Sequence, residues 1–185
     1  MNKRQEESDS ILIAQAKEDP EAFGLLYERY VDRIYNYVYY RTSNHHVAED
    51  LTARTFYKVL KHISRYEDRG IPFSAYLHRV AHNLLANWHR DRNRHKLISF
   101  EGLKITAGDL SKPDTVTEKK GEEERLLEIV QRLPADRQQV LILKHVEQMT
   151  NAEIGEVIGR TEGAVKSLYH RTLLTLREEL ADERK

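Results

Sequence analysis

Apolar side chains recur along most of this chain every three or four residues, the spacing that places them on one face of an α-helix. No stretch alternates apolar and polar residues as a half-buried strand would, so the pattern predicts an all-α protein. The predicted helices run from Asp9 to Lys17, from Asp19-Pro20, from Ser43-Asn44, from Phe73 to Arg94, from Glu122 to Leu133, from Ala135 to Glu147, and onward from Thr150 and Thr161.

The helical pattern is lost between Leu97 and Gly121. This segment contains three of the glycines and Pro113, residues that favour turns and loops. An irregular stretch of that length is unusual inside one compact domain. We therefore expect two small helical domains, residues 1–96 and 122–185, joined by a flexible linker at residues 97–121.

The stretch that follows Thr150 has the pattern of a helix-turn-helix. Thr150 and Glu153 form a capping box at the start of a short apolar helix, and Gly159 is placed to end it. Thr161 then caps a second, amphipathic helix, whose inward positions are predicted to be Val165, Leu168, Leu173 or Leu174, and Leu176. Because the turn is short, the two helices must cross steeply, with Gly155 allowing a close approach.

Positive charge is concentrated on the second of these helices. Residues 160–177 include four Lys or Arg residues but only one acid, whereas the whole chain has 30 Lys and Arg residues and 30 Asp and Glu residues. A basic helix N-terminus suits phosphates and base edges, so we predict DNA binding rather than a merely solvated helix pair. The predicted outward side chains are those of Arg160, Glu162, Lys166, Ser167, His170 and Arg171.

Composition limits the remaining possibilities. The chain has no cysteine, which removes disulfides, thiolate nucleophiles and cysteine-based zinc sites and fits the reducing cytoplasm. The apolar run Ile11–Ala14 near the start is too short for a signal-peptide core or a membrane span. We therefore expect a cytoplasmic protein that is not inserted in a membrane.

Catalytic and metal-binding patterns are weak. His78 and His82 are four residues apart and could share a metal, but the residues between them supply no glutamate and no third ligand is placed by the sequence. The chain shows neither a glycine-rich phosphate loop nor a GxSxG motif. We expect no enzyme activity, no cofactor and no metal.

Two sets of motifs together resemble a known family. The first comprises Ala48-Glu49-Asp50-Leu51-Thr52, Thr55-Phe56, Phe73-Ser74-Ala75-Tyr76-Leu77 and Val80-Ala81-His82-Asn83, and is similar to region 2 of bacterial sigma factors. The second comprises Leu133-Pro134, Asp136-Arg137, the helix-turn-helix and Gly163-Ala164-Val165-Lys166-Ser167, and resembles region 4. The absence of a region 3 between them is typical of the extracytoplasmic-function (ECF) group. The resemblance covers about Asp9 to Leu180.

The resemblance implies a role for each part of the first domain. It would bind the clamp helices of the largest subunit of core RNA polymerase and would recognise and melt the promoter −10 element. The polymerase-binding residues would be Glu49, Asp50, Leu51, Thr52 and Phe56. The −10 residues would be the capture loop Glu67, Asp68, Arg69, Gly70 and Ile71, with Tyr76, Arg79, His82, Asn83, Asn87 and Arg90 along the following helix.

The resemblance assigns the second domain to the −35 element. The −35 residues would be Arg160, Thr161, Glu162, Gly163, Lys166, Ser167, His170 and Arg171. Further implied partners are promoter DNA, the flap of the second-largest polymerase subunit and an anti-sigma factor. Two other hypotheses remain open: a free-standing helix-turn-helix regulator with an N-terminal sensor or dimerisation domain, and an enzyme with a histidine metal site.

Overall fold

The computed structural model describes residues 8–99, 129–130 and 132–182, and every regular element in them is helical. The all-α prediction is thereby confirmed. Most of the linker, and most of the helix predicted from Glu122 to Leu133, lie outside the described residues. The α-helices are α1 (Asp9–Glu18), α2 (Phe23–Thr42), α3 (His45–His62), α4 (Phe73–Ser99), α5 (Ala135–Leu141), α6 (Asn151–Ile158) and α7 (Glu162–Asp182).

Side-chain caps set several of these boundaries where the sequence places them. The side chain of Asn44 accepts a hydrogen bond from the amide of Val47 at 3.0 Å and begins α3. Thr150 and Glu153 form both bonds of the capping box that begins α6. Gly159 ends α6 with φ +68°, a left-handed conformation that is cheapest for glycine.

Helices α1 to α4 form an N-terminal unit around a core of apolar and aromatic side chains. Leu26, Ile34 and Leu77 are fully buried in it, and Tyr37 is buried with them. The short 3₁₀ turn Ile63–Arg65 leads from α3 into the loop before α4. This loop contains Gly70 at φ +74°, so the chain turns back and presents residues 67–71 at one end of the bundle.

Helices α5 to α7 form a C-terminal unit, and here one predicted helix is interrupted. The sequence predicts a single helix from Ala135 to Glu147, whereas α5 ends at Leu141 and the chain continues as a π-helical turn over Ile142–Val146. The amide of Glu147 donates to the carbonyl of Ile142 at 3.1 Å, five residues back. A wider turn rotates the residues that follow it, which changes the direction in which Glu147 points.

The inward face of α7 also differs from the prediction. Leu173 and Leu174 are 41% and 47% exposed, whereas Thr172 is fully buried beyond Val165 and Leu168. Positions 165, 168 and 172 follow the three-and-four spacing of one helix face, so Thr172 lies on it. Its hydroxyl donates to the carbonyl of Leu168 at 2.8 Å, which satisfies the polar group that would otherwise oppose burial.

The two units lie against one another. Helix α4 packs on α6, and α2 contacts the π-helical turn. One contiguous set of buried apolar side chains runs from Leu26 and Tyr37 in the N-terminal unit to Val140 and Ile154 in the C-terminal unit. The surface between the units therefore combines apolar packing with the polar contacts described below.

Candidate nucleic-acid interface

The helix-turn-helix is built around a close contact at Gly155. A Cβ atom added to Gly155 would lie 2.5 Å from the carbonyl oxygen of Arg160, closer than real Cβ contacts allow. The amide of Arg160 also donates to the carbonyl of Gly155 at 2.9 Å. The turn is thus held tightly against α6, and α7 leaves it as a rod with a free outer face.

That outer face carries the predicted −35 side chains. Lys166, Ser167, His170 and Arg171 are all exposed. Lys166 forms an ion pair with Glu162 at 3.1 Å, and the hydroxyl of Ser167 donates to a backbone carbonyl of the same helix. The face therefore presents two cations and an imidazole to solvent along about two turns of helix.

The other predicted −35 residues have local roles in the turn. Thr161 accepts a hydrogen bond from the amide of Ala164 at 3.3 Å, as a helix cap. Arg160 lies 3.5 Å from the carboxylate of Asp136 in α5, which draws it away from the outer face. Gly163 has open space around its Cα.

The capture loop borders a cavity of about 420 Å³ at the start of α4. Tyr66 and Tyr76 form part of its wall, with ring centroids 5.0 Å apart. Five predicted −10 residues line this cavity, namely Glu67, Arg69, Ile71, Tyr76 and Arg79. The sequence interpretation missed the other wall residues His62, Arg65, Tyr66, Ala75 and Glu156.

The remaining loop residues face a different way. Asp68 and Gly70 line a second, smaller cavity that also includes Asp9 at the start of α1. The carboxylate of Asp68 accepts the amide of Gly70 at 2.9 Å, which stabilises the turn. Within the loop, Glu67 and Arg69 therefore line the larger cavity, whereas Asp68 and Gly70 line the smaller one. Ile71 borders both cavities.

The larger cavity opens towards a polar stripe along α4. Residues 76, 79, 83, 87 and 90 are three or four positions apart and so share one face of the helix. Asn83, Asn87 and Arg90 are exposed, and Arg90 donates to the amide oxygen of Asn87 at 2.9 Å. This stripe offers hydrogen-bond donors, acceptors and positive charge over several turns.

His82 departs from this stripe and points into the C-terminal unit. Its Nδ1 lies 2.6 Å from the side-chain amide nitrogen of Gln139, which also donates to the hydroxyl of Tyr37 at 3.0 Å. Burial, with the nearby charge of Arg41, lowers the pKa of His82. Burial raises the pKa of Tyr37 to about 12, so the phenol stays neutral.

The predicted polymerase-binding residues divide into exposed and buried groups. Glu49 and Asp50 are exposed at the start of α3, where Asp50 pairs with Arg54 at 2.9 Å. Leu51, Thr52 and Phe56 are instead buried. Their side chains are in the core of the N-terminal unit in this arrangement, so they support the surface rather than forming it.

A nearby aromatic surface was not predicted. Tyr57 is 69% exposed on α3, and Tyr27 is 43% exposed on α2, where its ring packs edge-on against Phe56. Large aromatic side chains are enriched at protein interfaces relative to the rest of the surface. The alternation of helix faces in the sequence places Tyr57 outward, so its position could have been found from the pattern.

The histidine pair considered for metal binding is separated by its contacts. His78 faces Glu147, whereas His82 faces Gln139. Within the described ranges, no group of three or more His, Asp or Glu side chains is arranged to hold a metal ion. None of the helices in the described part of the chain is long and apolar enough to cross a membrane.

These features define a helical protein with a helix-turn-helix unit and a second unit, whose tyrosines and arginines line a cavity that Glu156 of the helix-turn-helix unit borders. Residues 26–95 match the model of sigma-70 region 2, and residues 123–176 match that of sigma-70 region 4.

Individual relatives agree with the family match. The chain is 37% identical to the ECF RNA polymerase sigma factor BldN of Streptomyces coelicolor over 92% of this chain and 64% of BldN. It is 30% identical to the ECF sigma factor SigW of Bacillus subtilis over 92% of this chain and 95% of SigW. The fold resembles that of the sigma factor RpoE of Bartonella quintana, solved with the anti-sigma factor NepR, with a TM-score of 0.67 at 20% identity over 86% of this chain and 96% of that chain.

The chain belongs to the sigma-70 family of RNA polymerase sigma factors, in its ECF group. The family resemblance inferred from the motifs is confirmed. Sigma factors are transcription initiation factors rather than enzymes, which confirms that prediction as well. The matches to both sigma regions do not favour a free-standing regulator.

Proposed function

We propose that this chain binds core RNA polymerase and directs it to a class of promoters by recognising their −35 and −10 elements. The observation that carries the proposal is the presence of both sigma regions in one chain, each with an exposed surface of suitable chemistry. Its partners are the clamp helices and the flap of core polymerase, together with promoter DNA. These partners place its activity in the cytoplasm.

The division of labour follows the two units. The region 4 unit contacts the −35 duplex through the outer face of α7, with Lys166 and Arg171 as its cations. The region 2 unit binds polymerase through Glu49 and Asp50, with Tyr57 beside them. The predicted linker, residues 97–121, is assigned to the polymerase channels that lead towards the RNA exit.

Melting of the −10 element is assigned to the cavity and stripe of α4. Opening duplex DNA costs about 1.4 kcal/mol per base step in lost stacking. A protein that uses no ATP offsets this cost only by binding the unpaired strand, and stacking on an aromatic side chain is worth about 1–3 kcal/mol per base. Tyr66 and Tyr76 supply such faces, while Arg79, Asn83 and Arg90 suit the strand that continues along α4.

Regulation by an anti-sigma factor is part of the proposal. The RpoE structure was solved with the anti-sigma factor NepR, and a second similar structure, that of CnrH, was solved with the cytosolic domain of CnrY. These likenesses, both at 20% identity, support a comparable partner for this chain.

An in vitro transcription assay tests the proposed function directly. Purified chain is combined with core polymerase and fragmented genomic DNA, and the 5′ ends of the transcripts are sequenced. Discrete start sites that share −10 and −35 sequences and require the chain are the expected result. Transcription identical with and without the chain would contradict the proposal.

A second test separates the capture loop from the −35 surface. Arg69→Ala changes a cavity-lining side chain, whereas His170→Ala changes the outer face of α7. We expect the first variant to alter the ranking of base substitutions in the −10 element and the second to leave that ranking unchanged. Identical −10 rankings for Arg69→Ala and the unchanged chain would show that the loop does not select the base.

A further inference from the structure

The contacts between the two units converge on Glu147, an acid whose side chain is only 2% exposed. Its carboxylate lies 2.9 Å from Nε of Arg33 in α2 and 3.2 Å from Nε2 of His78 in α4. Arg33 also donates to the backbone carbonyl of Glu147 at 3.3 Å. A residue that follows the π-helical turn of the C-terminal unit therefore places its charge inside the N-terminal unit.

His78 is oriented to receive this carboxylate. Its Nδ1 lies 2.7 Å from the carbonyl oxygen of Ser74, so both ring nitrogens face acceptors. The buried ring therefore places Nε2 beside the carboxylate of Glu147 inside the interface, while Nδ1 is held by its own helix. Buried charge is tolerated only with such partners, so Glu147 strongly favours the arrangement in which Arg33 and His78 surround it.

A second acid of the C-terminal unit lines the larger cavity at the start of α4, which the proposed function assigns to the −10 strand. Glu156 of α6 lines that cavity, and its carboxylate lies 3.6 Å from Nη1 of Arg79. The cavity wall also contains the basic side chains of Arg65 and Arg69. Glu67 of the same wall pairs with Arg69 at 3.5 Å, so Glu156 adds a second acid, from the other unit, to a wall with three arginines that, under the proposed function, binds a DNA strand.

The contact engages part of the surface assigned to the −10 strand and leaves the face assigned to the −35 duplex exposed. Arg79 and His82 of α4 are engaged by Glu156 and Gln139. By contrast, Lys166, a −35 residue on α7, stays exposed. Arg79 remains 55% exposed and Asn83, Asn87 and Arg90 further along α4 are exposed, so the packing of the units affects the cavity end of the surface assigned to the −10 strand.

We propose that Glu147 and Glu156 hold the C-terminal unit against the cavity end of the −10 surface of α4, so that in the free chain the region 4 unit blocks that end of its own single-strand site. This inference rests on the proposed function for the identity of the covered surface. Glu156 takes the position on Arg79 that a DNA phosphate would occupy, and Glu147 fixes the unit in place. Binding of the −10 strand requires the two units to separate.

Distance measurement on the full chain tests the closed arrangement without DNA. The chain has no cysteine, so Lys58→Cys in α3 and Glu178→Cys in α7 provide the only two sites for nitroxide labels. Electron-electron double resonance is expected to give one narrow distance that matches the packed units. A broad distribution of longer distances in the otherwise unchanged chain would overturn the proposal.

Removal of the two carboxylates identifies what holds the units together. Glu147→Gln combined with Glu156→Gln is expected to lower the closed-to-open ratio at least about tenfold, because the buried carboxylate of Glu147 loses its charge beside Arg33 and His78 and the more exposed Arg79 loses its ion pair. The matched control Glu18→Gln with Glu28→Gln removes the same charge from exposed positions in α1 and α2 and should keep the narrow distance. An unchanged distance in the interface variant would overturn the role of the acids.

A charge exchange separates pairing from general destabilisation. Arg79→Glu and Glu156→Arg should each shift the distances towards the open form, and the two together should restore the closed distance. Failure of the double exchange to recover any closed population would show that the Arg79–Glu156 pair does not contribute.

Single-strand binding tests whether the site is covered. A fluorescein-labelled oligothymidine 12-mer serves as the probe, with binding followed by anisotropy. The chain with both Glu147→Gln and Glu156→Gln should bind it more tightly by about the factor by which the open population rises, beyond any change in the Glu18→Gln, Glu28→Gln control. If the Glu147→Gln, Glu156→Gln chain opens but binds the oligonucleotide no more tightly than the control, the region 4 unit does not block the strand site. If the unchanged chain gives the closed distance but does not direct transcription with core polymerase, the proposed function alone is contradicted.

Discussion

Lys166 and Arg171 lie on the same helix but point in different directions. Five residues correspond to about 500° of rotation, so their side chains diverge by roughly 140°. Lys166 lies in the second turn of α7, which is the part of a recognition helix that meets base edges. Arg171 is more than a turn further along, where a phosphate contact is the natural role.

For Lys166→Ala we expect relaxed preference at one or two −35 positions and a loss of about 1–3 kcal/mol on the best site. The physical reason is the removal of a base contact, although release of Glu162 from its ion pair adds a small term. Binding with core polymerase to a panel of −35 substitutions measures the effect. An unchanged preference profile would count against base recognition by this side chain.

For Arg171→Ala we expect weaker binding to all −35 sequences by a similar factor. Loss of one phosphate contact should also reduce the slope of log affinity against log salt by about one. The same panel at two salt concentrations provides the measurement. A changed order of base preference with an unchanged salt slope would exchange the roles assigned to Arg171 and Lys166.

The crossing of α6 and α7 depends on one missing side chain. Gly155→Ala would place a Cβ 2.5 Å from the carbonyl oxygen of Arg160, so the turn must shift to accommodate it. Overpacking of this kind costs about 1–3 kcal/mol, and we expect the free energy of unfolding to fall by that amount in a denaturant titration. Gly163→Ala is the matched control in the same unit, since nothing lies within 4 Å of its added Cβ.

The control should be neutral or stabilising by up to about 1 kcal/mol, because alanine is a better helix former than glycine. Equal stability of the two variants would mean that the turn adjusts freely and that Gly155 does not set the approach of the helices.

The start of α3 is the element assigned to polymerase binding. Replacing Glu49 and Asp50 together by Ala should weaken the affinity for core polymerase while leaving the helical circular dichroism unchanged. As helix-dipole partners alone the two acids would contribute at most about 1 kcal/mol each. A control that replaces Glu178 and Glu179, exposed acids of α7, should leave core affinity unchanged. Similar affinities for both double variants would reduce Glu49 and Asp50 to a local role in the helix.

The helices themselves were largely predictable because local chemistry determines their ends. Asn44, Thr150 and Gly159 act through neighbours within four residues, so their effect is visible in the sequence. The π-helical turn before Glu147 was not predictable, since no residue in it marks a break. Thr172 was missed because its burial depends on a hydrogen bond to its own helix that a hydrophobic pattern does not count.

The contact between the units lies beyond what the pattern of one sequence can indicate. The cavity proposed for the −10 strand could be partly located, because the capture loop and Tyr76 in its wall are neighbours in the chain. Its wall residue Glu156 is far from them in sequence and resembles an ordinary exposed helix acid. Likewise Glu147 and Arg33 are 114 residues apart, and only the folded chain brings them together. Contacts of this kind depend on tertiary packing.

The charge of Glu147 should make the packing of the units sensitive to acid. Burial would raise the pKa of Glu147, but the hydrogen bond and charge of His78 and the charge of Arg33 outweigh it and hold the pKa below its ordinary value of about 4.5. The carboxylate thus stabilises the closed arrangement above that pH, and this contribution is lost as the pH falls through the lowered pKa. Tyr37 also faces this carboxylate from α2.

We expect the closed fraction, measured between the spin labels on α3 and α7, to fall when the pH is lowered below about 4.5. Glu147→Gln should remove most of this dependence, and circular dichroism at each pH confirms that the helices persist. The same acid transition in the Glu147→Gln chain would show that another group controls it.

The complete molecule should recognise promoters only with core polymerase. Each unit offers few side chains for DNA contact, and in the described residues the surface proposed for duplex DNA is the exposed outer face of α7. Core polymerase holds both surfaces at a fixed spacing, which raises their effective concentration, so we expect specific promoter affinity to rise about 100-fold or more when core enzyme is added. Glu147→Gln with Glu156→Gln should leave the binding of the free chain to −35 duplex unchanged, since that surface is exposed in the closed arrangement. Electrophoretic mobility shifts at physiological salt, with and without core enzyme, provide the measurement. Nanomolar, sequence-specific binding by the free chain would favour a free-standing regulator instead.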